Sequence, residues 1–466
     1  MKLRVENLAR IKEAEVEVKN LTLFVGQNST HKSYMAHVVY ELFKEISNIG
    51  DNTSKNNNIV SAVIKKIFQN YQNDIEYLKT LKKEVTEEED YHQYAEDEYE
   101  TEVYTVVSIF IQKDDETINN LIKNIYLLIQ DEFTTIIDSS FNSTNKIIEK
   151  LFIDNQVSLS SKNQFSFRFD MPIEYFNNID EDITPKLIAR IVRILLENLK
   201  LVLNEYLSSY YFPASRTGFV LTLDEIYAGI FRDKFRGQAS ATRLGEPTID
   251  FIQTFADIKT GTRGENFLFS LLEYGIKNDK KSEKLISFLE KEIIKGKIKE
   301  YKNEQDYTSY YLSVNGTELD LHLASSATLE TLPFIVFLKN TQDISKTLFV
   351  IEEPEAHLHP KAQIQMAKFI VMLSNAGAKV LVTTHSDYIL NEINNCIKLN
   401  SLEEKSEFSI SKDDISAYLF KNEEHETTVK ALTIDKFGIA NDNFDEALEE
   451  LLDLSNDLNE RIVDNE

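Results

Sequence analysis

Residues 21–33 read Leu21-Thr22-Leu23-Phe24-Val25-Gly26-Gln27-Asn28-Ser29-Thr30-His31-Lys32-Ser33, a short apolar run followed by a polar loop. An uninterrupted apolar run of this length is typical of a buried strand. Apolar residues then recur at helical spacing to about Ile46 and predict a helix. A strand, a polar loop and a helix in this order bring backbone N–H groups and a helix N-terminus together, an arrangement that binds phosphate.

The loop matches the phosphate-binding pattern G-x-x-x-x-G-K-[ST] at every fixed position except His31. In this pattern Lys32 reaches the β- and γ-phosphates, and the hydroxyl of Ser33 ligates Mg²⁺. The second glycine lets backbone approach phosphate without a Cβ in the way, so His31 predicts a looser contact. Taken alone, the stretch also fits an ordinary strand-to-helix turn. The candidate nucleotide ligands are Gly26, Gln27, Asn28, Ser29, Thr30, His31, Lys32 and Ser33.

Two further apolar strands end in groups suited to phosphate chemistry. The strand at 348–351 is followed directly by Glu352 and Glu353, and the strand at 379–383 leads to His385. Adjacent carboxylates at a strand end can hold the Mg²⁺ shell and polarise an attacking water, which is positioning and electrostatics rather than covalent chemistry. We predict Glu352 for the first role and Glu353 for the second, with His385 as a hydrogen-bond donor to the γ-phosphate.

Strands alternate with helices near both ends of the chain and predict the fold class. Residues 1–25 alternate apolar and polar positions as short strands, and the later apolar strands are separated by helices. This order is typical of a mostly parallel sheet covered on both faces. We therefore predict an α/β fold with a mostly parallel sheet, N-terminal antiparallel strands and a large helical insertion between the two halves of the sheet.

The middle of the chain carries weaker signals. A polar linker is expected at 51–58, helical periodicity over 59–150, a hairpin at 157–169 and a long helix over 184–206 with Thr184 as its N-cap. The acidic run Glu87–Glu102 is interpreted as a solvated helix face, with a docking surface for a basic partner as the alternative. The basic stretch Lys277–Lys302 is interpreted as a solvated helix, with local nucleic-acid contact as the alternative.

The C-terminal region predicts a hairpin, Ile415–Phe420 with Thr427–Thr433, and a terminal helix. That helix would pack on the protein's own core, or else form an oligomer contact. Its apolar stripe consists of Phe444, Leu448, Leu451, Leu458 and Ile462.

Composition limits the classes of function. The 466 residues carry a formal net charge of −26, which disfavours broad attraction to nucleic acid or to an anionic membrane. The single cysteine, Cys396, is interpreted as a residue packed in the core and fits a reducing cytosol. No apolar stretch approaches the roughly 20 residues that span a bilayer, and the N-terminus lacks a signal-peptide pattern. These observations predict a cytoplasmic protein without membrane contact.

The motifs together resemble the ABC-type ATPase heads of the RecF, SMC and OLD group. The resemblance lies in the order of the phosphate loop, a serine-rich segment at 323–328, the sequence IEEPEAHLHP at 351–360 and TTHSD at 383–387. It implies ATP and Mg²⁺ as ligands, Glu352 as the Walker B acid and metal contact, Glu353 as catalytic base and His385 as switch histidine. It also implies that Ser326 reaches the ATP of a second protomer in a head-to-head dimer, although Ala327 replaces the usual glycine.

The resemblance also implies a division of the chain. The two halves of the ATPase head are expected at 1–50 and 301–400, a helical insertion or lid at 51–205, a helical continuation at 206–300, and a hairpin with an acidic helix at 401–466. We expect no Toprim nuclease domain of the kind that OLD-type proteins carry, because the segment after His385 offers little room and no clear motif for one. Arg216 supplies positive charge near the site or forms a structural salt bridge, and His357 and His359 are expected to pack a loop rather than bind metal.

The motifs predict a switch that binds ATP and hydrolyses it slowly, and the resemblance implies that it self-associates when ATP is bound and controls a separate effector protein. Slow turnover is expected because His31 and Ala327 both stand where glycine normally brings backbone close to phosphate. The expected context resembles that of the stand-alone ATPases of bacterial anti-phage systems such as PARIS and Septu, in which a companion protein carries the effector chemistry. The alternatives are a RecF-like or SMC-like ATPase that binds DNA during maintenance or repair, and a nucleotide-binding scaffold without turnover.

Overall fold

The computed structural model describes residues 1–47, 54–79, 83–95, 98–112, 116–143, 145–154, 164–172, 187–196, 208–223, 226, 244–260, 280–304, 307–341, 343–402, 406–424 and 426–440. These residues fall into two compact units. The larger holds the described residues of Met1–Lys44, Ile137–Lys150 and Tyr206–Glu466, and the smaller holds those of Glu45–Ile136 and Leu151–Glu205.

The strands, in chain order, are β1 Lys2–Leu8, β2 Ile11–Glu17, β3 Leu21–Val25, β4 Lys83–Ala95, β5 Glu98–Gln112, β6 Lys150–Asp154, β7 Gln164–Pro172, β8 Ser208–Phe212, β9 Lys297–Lys302, β10 Thr308–Val314, β11 Thr317–Asp320, β12 Thr347–Glu352, β13 Lys379–Thr384, β14 Ile415–Asn422, β15 Thr427–Ala431, β16 Ile434–Asp435 and β17 Gly438–Ile439.

The α-helices are α1 Lys32–Ser47, α2 Ser54–Asn70, α3 Gln72–Lys79, α4 Glu116–Ser140, α5 187–196, α6 Arg216–Leu221, α7 Glu246–Thr260, α8 Lys280–Phe288, α9 Ser326–Asn340, α10 Pro360–Asn375 and α11 Asp387–Ser401. Helix α8 continues as a π-helix, Leu289–Ile294. None of the helices in the described ranges combines the length and apolar composition that crossing a bilayer requires.

The main sheet of the larger unit has the strand order β1-β2-β15-β14-β3-β13-β12-β8. Strands β14, β3, β13, β12 and β8 run parallel to one another, whereas β1 with β2 and β14 with β15 form antiparallel pairs. The α/β fold with a mostly parallel sheet and N-terminal antiparallel strands is therefore confirmed. Most strands of this sheet come from opposite ends of the sequence, as predicted, but β8 joins it from the middle of the chain.

The core of the larger unit explains why its central strands read as unbroken apolar runs. Every residue of β3, β12 and β13 is buried, as expected for parallel strands covered on both faces. Aromatic side chains pack beside them: Phe212 stacks on Phe334 with ring centroids 4.5 Å apart and lies 4.9 Å from Phe337. Each buried phenylalanine contributes about 1.5–3 kcal/mol of hydrophobic stabilisation, so this cluster fixes α9 against the sheet.

One hairpin turn and two helix N-caps are formed by residues close together in the sequence. The β10–β11 hairpin turns at Asn315 and Gly316, whose φ angles of 49° and 85° suit a two-residue turn. Ser325 caps α9 by accepting a hydrogen bond from the Thr328 N–H. His359 likewise caps α10 through the Lys361 N–H, which gives this histidine a structural role in the loop, as predicted.

The smaller unit corrects the prediction of helix throughout 59–150. It contains α2, α3, α5 and most of α4, but residues 83–95 and 98–112 form β4 and β5, and β7 completes an antiparallel sheet of order β4-β5-β7. The run from Val103 to Ile111 is dense in β-branched and aromatic residues, which favour strands. The described residues of the acidic run Glu87–Glu102 therefore lie on strands, and its interpretation as a helix face is wrong.

Three other boundaries differ from expectation. The polar linker at 51–58 includes the start of α2 at Ser54, and the basic stretch Lys277–Lys302 ends in strand β9 rather than in helix. Of the predicted hairpin at 157–169 the structure describes only the second half, which belongs to β7 and pairs with β5. Thr184 and the terminal apolar stripe lie outside the described residues, as do residues 155–163.

Candidate functional site

The sheet topology places the predicted motifs at one edge. Strands β3, β13 and β12 are parallel neighbours, and their registers pair Val25 with Thr384 and Thr383 with Glu352. The loops that start at Gly26, Glu353 and His385 therefore leave the same carboxyl edge of the sheet side by side. Ligands of open parallel sheets bind in the crevice at this edge.

The phosphate loop is folded around Lys32. Its buried ammonium group donates to the carbonyl oxygens of Gly26 and Gln27, at 2.8 and 2.7 Å. Burial lowers the pKa of Lys32, and the nearby carboxylates of Glu353, Glu355 and Glu352 oppose that shift. The rim residues 27–29 are exposed, so a cation sits beneath a loop whose outer side is open to a ligand.

Gly26 is required by close packing as well as by backbone conformation. Its φ is +142°, and a Cβ at this position would lie 2.1 Å from the carbonyl oxygen of Phe420 in β14. Because that neighbour is the backbone of an adjacent strand, it cannot move aside cheaply.

We expect Gly26→Ala to weaken nucleotide binding at least ten-fold, because the start of the loop must shift away from β14. Titration with a fluorescent ATP analogue measures the change. Gly316→Ala is the matched control: Gly316 also has a positive φ, but nothing lies within 4 Å of an added Cβ. Unchanged affinity in Gly26→Ala would contradict this role of the glycine.

His31 adopts the backbone conformation that the missing glycine would provide. Its φ is 64°, and Ser29 has a φ of 61°, so two non-glycine residues of the loop are left-handed. The His31 Nδ1 lies 3.1 Å from the Thr427 hydroxyl, and its ring packs edge-on against Tyr34 with centroids 5.4 Å apart. The histidine therefore preserves the course of the loop at the cost of local strain, of order 1–2 kcal/mol per left-handed residue.

Glu352 is buried at the end of β12 and faces Ser33. The hydroxyls of Ser33 and Tyr211 and the N–H of Ala214 donate to it. Burial raises the pKa of Glu352, those three hydrogen bonds oppose the shift, and the neighbouring charge of Glu353 adds to it. Among the described residues no donor reaches Glu352 Oε1, which leaves a buried oxygen of this carboxylate without a partner.

These features fit Mg²⁺. A hard cation takes oxygen ligands, usually from one or two protein groups with phosphate and water completing the shell. Ser33 and the unpartnered Glu352 oxygen provide such a pair. No group of three or more His, Cys, Asp or Glu side chains suited to a metal occurs in the described ranges, so the residues present suit a nucleotide-bound Mg²⁺ rather than an all-protein metal site.

Glu353 and His385 meet at the open side of the cluster. Glu353 Oε1 lies 3.8 Å from His385 Nδ1, and both side chains are about a third exposed, at 35% and 37%. Glu353 has a positive φ of 42°, and its N–H donates to the Thr383 carbonyl at 2.9 Å. Backbone strain of this kind is typical of functional sites, and here it turns the carboxylate out of β12 toward the histidine.

Glu355 was not singled out from the sequence, yet it orders the histidine loop. Its buried Oε1 accepts hydrogen bonds from the Thr384 hydroxyl at 2.8 Å and from the His385 N–H at 2.9 Å. The same oxygen lies 3.5 Å from His385 Nδ1. Its place within the segment EEPEAHLHP could have marked Glu355 in the sequence. Its contact with the loop after β13, however, follows only from the parallel pairing of β12 with β13.

Arg216 forms the structural salt bridge that the sequence left open. It is fully buried, and its Nε lies 2.8 Å from Oε2 of the equally buried Glu330 in α9. Its other nitrogens donate to the carbonyl oxygens of Glu352 and Glu353, at 2.9 and 3.2 Å. Burial lowers the pKa of Arg216, and Glu330 is the largest opposing influence. Arg216 thus holds the backbone on which both carboxylates stand.

Two further side chains, which were not predicted from the sequence, contact Glu352 and Arg216. Tyr211, in β8, donates its hydroxyl to Glu352, which raises the already high pKa of this buried tyrosine, although burial is the larger cause. Glu330 pairs with Arg216 and also accepts from the Thr217 hydroxyl. Neither was visible beforehand, because their segments are far apart in the chain and only the fold joins them.

Ser326 stands apart from these contacts. It is exposed in the first turn of α9, beside Ser325 and after the exposed Leu323. Ala327 lies inside that helix, where alanine is the most favourable residue. The predicted loop residues, Glu352, Glu353 and His385 are thus brought together within one protomer, whereas Ser326 points to a surface.

The fold and this cluster define a protein of the P-loop nucleotide-binding class. The model of the family described as AAA ATPase domain matches residues 1–390, and the chain belongs to that family. None of the curated protein sequences compared with the chain matches it.

Distant similarity to solved structures accompanies this assignment. A structure of an SmcHead bound to the C-winged helix domain of ScpA has a TM-score of 0.35 and 13% identity, with 93% of this chain and 98% of that chain covered. An Smc head domain with ScpA from Pyrococcus furiosus gives 0.32 and 12%, covering 97% and 98%. The SMC head domain from Thermotoga maritima gives 0.32 and 8%, covering 93% and 98%. At such scores the similarity carries no conclusion about this chain.

Proposed function

We propose that this protein binds ATP with Mg²⁺ and hydrolyses it slowly, as a switch that self-associates when ATP is bound and controls a separate effector protein. The observation that carries the proposal is the convergence of Lys32, Ser33, Glu352, Glu353 and His385 at the carboxyl edge of three adjacent parallel strands. Each has the chemistry that phosphoryl transfer from ATP requires.

The residues divide into binding and reacting groups. Lys32 exchanges the Gly26 and Gln27 carbonyls for phosphate oxygens, while the loop N–H groups and the start of α1 face the same anion. Ser33 and Glu352 hold Mg²⁺, which supplies positive charge to the phosphate oxygens. Glu353 accepts the proton of the attacking water, and His385 donates a hydrogen bond to the γ-phosphate.

The supporting side chains keep these groups in position. Arg216 ties the carbonyls of Glu352 and Glu353 to α9, and Glu355 fixes the loop of His385. A catalytic carboxylate displaced by about 1 Å can lose a hundred-fold in rate, so such anchoring matters to turnover. His31 favours slow turnover, because its Cβ keeps the loop backbone farther from phosphate than a glycine would.

Self-association is proposed from Ser326. The serine is exposed at the start of α9, next to exposed Leu323, and no other candidate residue lies beside it. A helix N-terminus with serine hydroxyls suits the γ-phosphate of an ATP bound to a second copy of the chain. The control of a separate effector, in an anti-phage context, is supported by the sequence resemblance alone.

Nucleotide binding is the first test. We expect wild-type protein to bind ATP in the presence of Mg²⁺ and Lys32→Ala to lose at least a hundred-fold in affinity, because the buried cation contacts the phosphates directly. Calorimetric titration measures both. Lys412→Ala, which changes an exposed lysine outside the cluster, is the matched control. Absence of binding by wild-type protein would show that the loop is only architectural.

A further inference from the structure

The C-terminal hairpin β14–β15 contacts the phosphate loop at three points. The backbone of Phe420 fills the space beside Gly26, where a Cβ would be 2.1 Å from the carbonyl oxygen. The Asn422 side chain donates to the Ser29 carbonyl at 3.3 Å. The Thr427 hydroxyl lies 3.1 Å from His31 Nδ1. The loop is thus held by a segment that contains none of the motifs for nucleotide chemistry.

Three hydrogen bonds, together with the backbone from Ser29 to His31, form a closed ring. The Thr427 hydroxyl donates its single proton to Asn422 Oδ1 at 3.1 Å. Both contacts of this hydroxyl are hydrogen bonds when His31 carries its proton on Nδ1 and donates to Thr427. Asn422 completes the ring by donating from Nδ2 to the Ser29 carbonyl. Thr427 is buried and its own N–H donates to the Arg10 carbonyl at 2.8 Å, which fixes the hydroxyl in place.

The ring encloses the strained part of the loop. Ser29 and His31 are the two non-glycine residues of the loop with positive φ, at 61° and 64°. Such conformations persist only when surrounding contacts over-determine them. In a loop with glycine at position 31 no such support is needed, because glycine enters the left-handed region without a Cβ penalty.

We propose that Asn422 and Thr427 are positioning residues of the nucleotide site, and that they hold the histidine-containing loop in the shape that binds phosphate. The proposal rests on the nucleotide binding proposed above and adds a dependence of that binding on the C-terminal hairpin. His31 and Thr427 act as a pair: the hydroxyl compensates for the glycine that the loop lacks.

The test compares ATP affinities of four proteins in a double-mutant cycle. Thr427→Val keeps a β-branched side chain in β15 and removes only the hydroxyl. We expect it to weaken binding of a fluorescent ATP analogue about five-fold, the scale of a lost hydrogen bond. In the His31→Gly background the same substitution is expected to change affinity less than two-fold, because glycine does not need the ring.

Two further variants separate this role from general damage to the hairpin. Thr428→Val is the matched control: its hydroxyl donates to the Lys421 carbonyl at 3.4 Å, outside the ring, and affinity should stay at the wild-type value. Asn422→Ala changes an exposed residue and should weaken binding in the same direction as Thr427→Val. Thermal unfolding without ligand checks that each variant is folded.

The outcomes are distinct. Tight binding by wild type and by Thr428→Val, with a loss in Thr427→Val that disappears in the glycine background, supports the pairing. Equal affinities of wild type and Thr427→Val, or equal losses in both backgrounds, overturn it while leaving the nucleotide site intact. Absence of binding by wild type and Thr428→Val alike contradicts the proposed function itself and, with it, this inference.

Discussion

Replacing Arg216 by alanine is expected to lower the free energy of unfolding by about 3–5 kcal/mol, the usual result of leaving a buried charge without its partner. Arg216 and Glu330 are both 0% exposed, so solvent cannot take over the role of the lost guanidinium. The change would also free the carbonyl oxygens of Glu352 and Glu353 from their donors. Denaturant unfolding followed by circular dichroism measures the loss.

Arg4 provides the control for this prediction. It pairs with Glu6 and Glu13 at the surface, where its side chain is 44% exposed. Exposed ion pairs contribute about 0–1 kcal/mol, so Arg4→Ala should have little effect. If Arg216→Ala were as mild as Arg4→Ala, the pair in α6 and α9 would not stabilise the carboxylate loop as we infer.

The second large effect concerns turnover. We expect Glu353→Gln to lower the rate of phosphate release by about 10²–10³-fold while ATP still binds, because the amide keeps the shape of the side chain but cannot accept a proton from water. The protein should then accumulate with ATP bound. A phosphate-release assay and light-scattering mass in the same samples would follow hydrolysis and assembly together.

Glu424→Gln is the matched control, since it makes the same charge change at an exposed position in the C-terminal hairpin. It should hydrolyse ATP and assemble as wild type does. Equal phosphate release by wild type and Glu353→Gln would exclude Glu353 as the base, and release at the protein-free background by both would favour a nucleotide-binding scaffold. An ATP-dependent increase in mass in Glu353→Gln, larger than in wild type, is the expected sign of a stalled assembly.

The motifs were predictable from the sequence because each is local. A buried strand followed by a polar loop and a helix can be recognised at Leu21–Ser47 without any tertiary information, and the same holds for Glu352 at the end of β12. The carboxyl edge of a parallel sheet then brings the local motifs together. The α/β fold and the convergence of the cluster follow from these two facts.

The supporting residues were not predictable because their contacts are long-range. Arg216 meets Glu330 and Glu352, and Thr427 meets His31, only through the strand order of the sheet. The smaller unit was misjudged for a different reason. Charged residues around 87–102 suggested a helix face, whereas the β-branched run that follows pairs as β5 between β4 and β7.

The position of β3 in the sheet has a consequence for synthesis of the protein. This strand pairs with β13 on one side and β14 on the other, so Leu21 lies opposite both Val380 and Ile415. Contacts that span most of a chain close slowly, since the entropy of a very long loop must be overcome first. A growing chain would therefore complete its phosphate loop only after β14 has left the ribosome, and until then both edges of its apolar strand β3 lack their partners and are prone to aggregate.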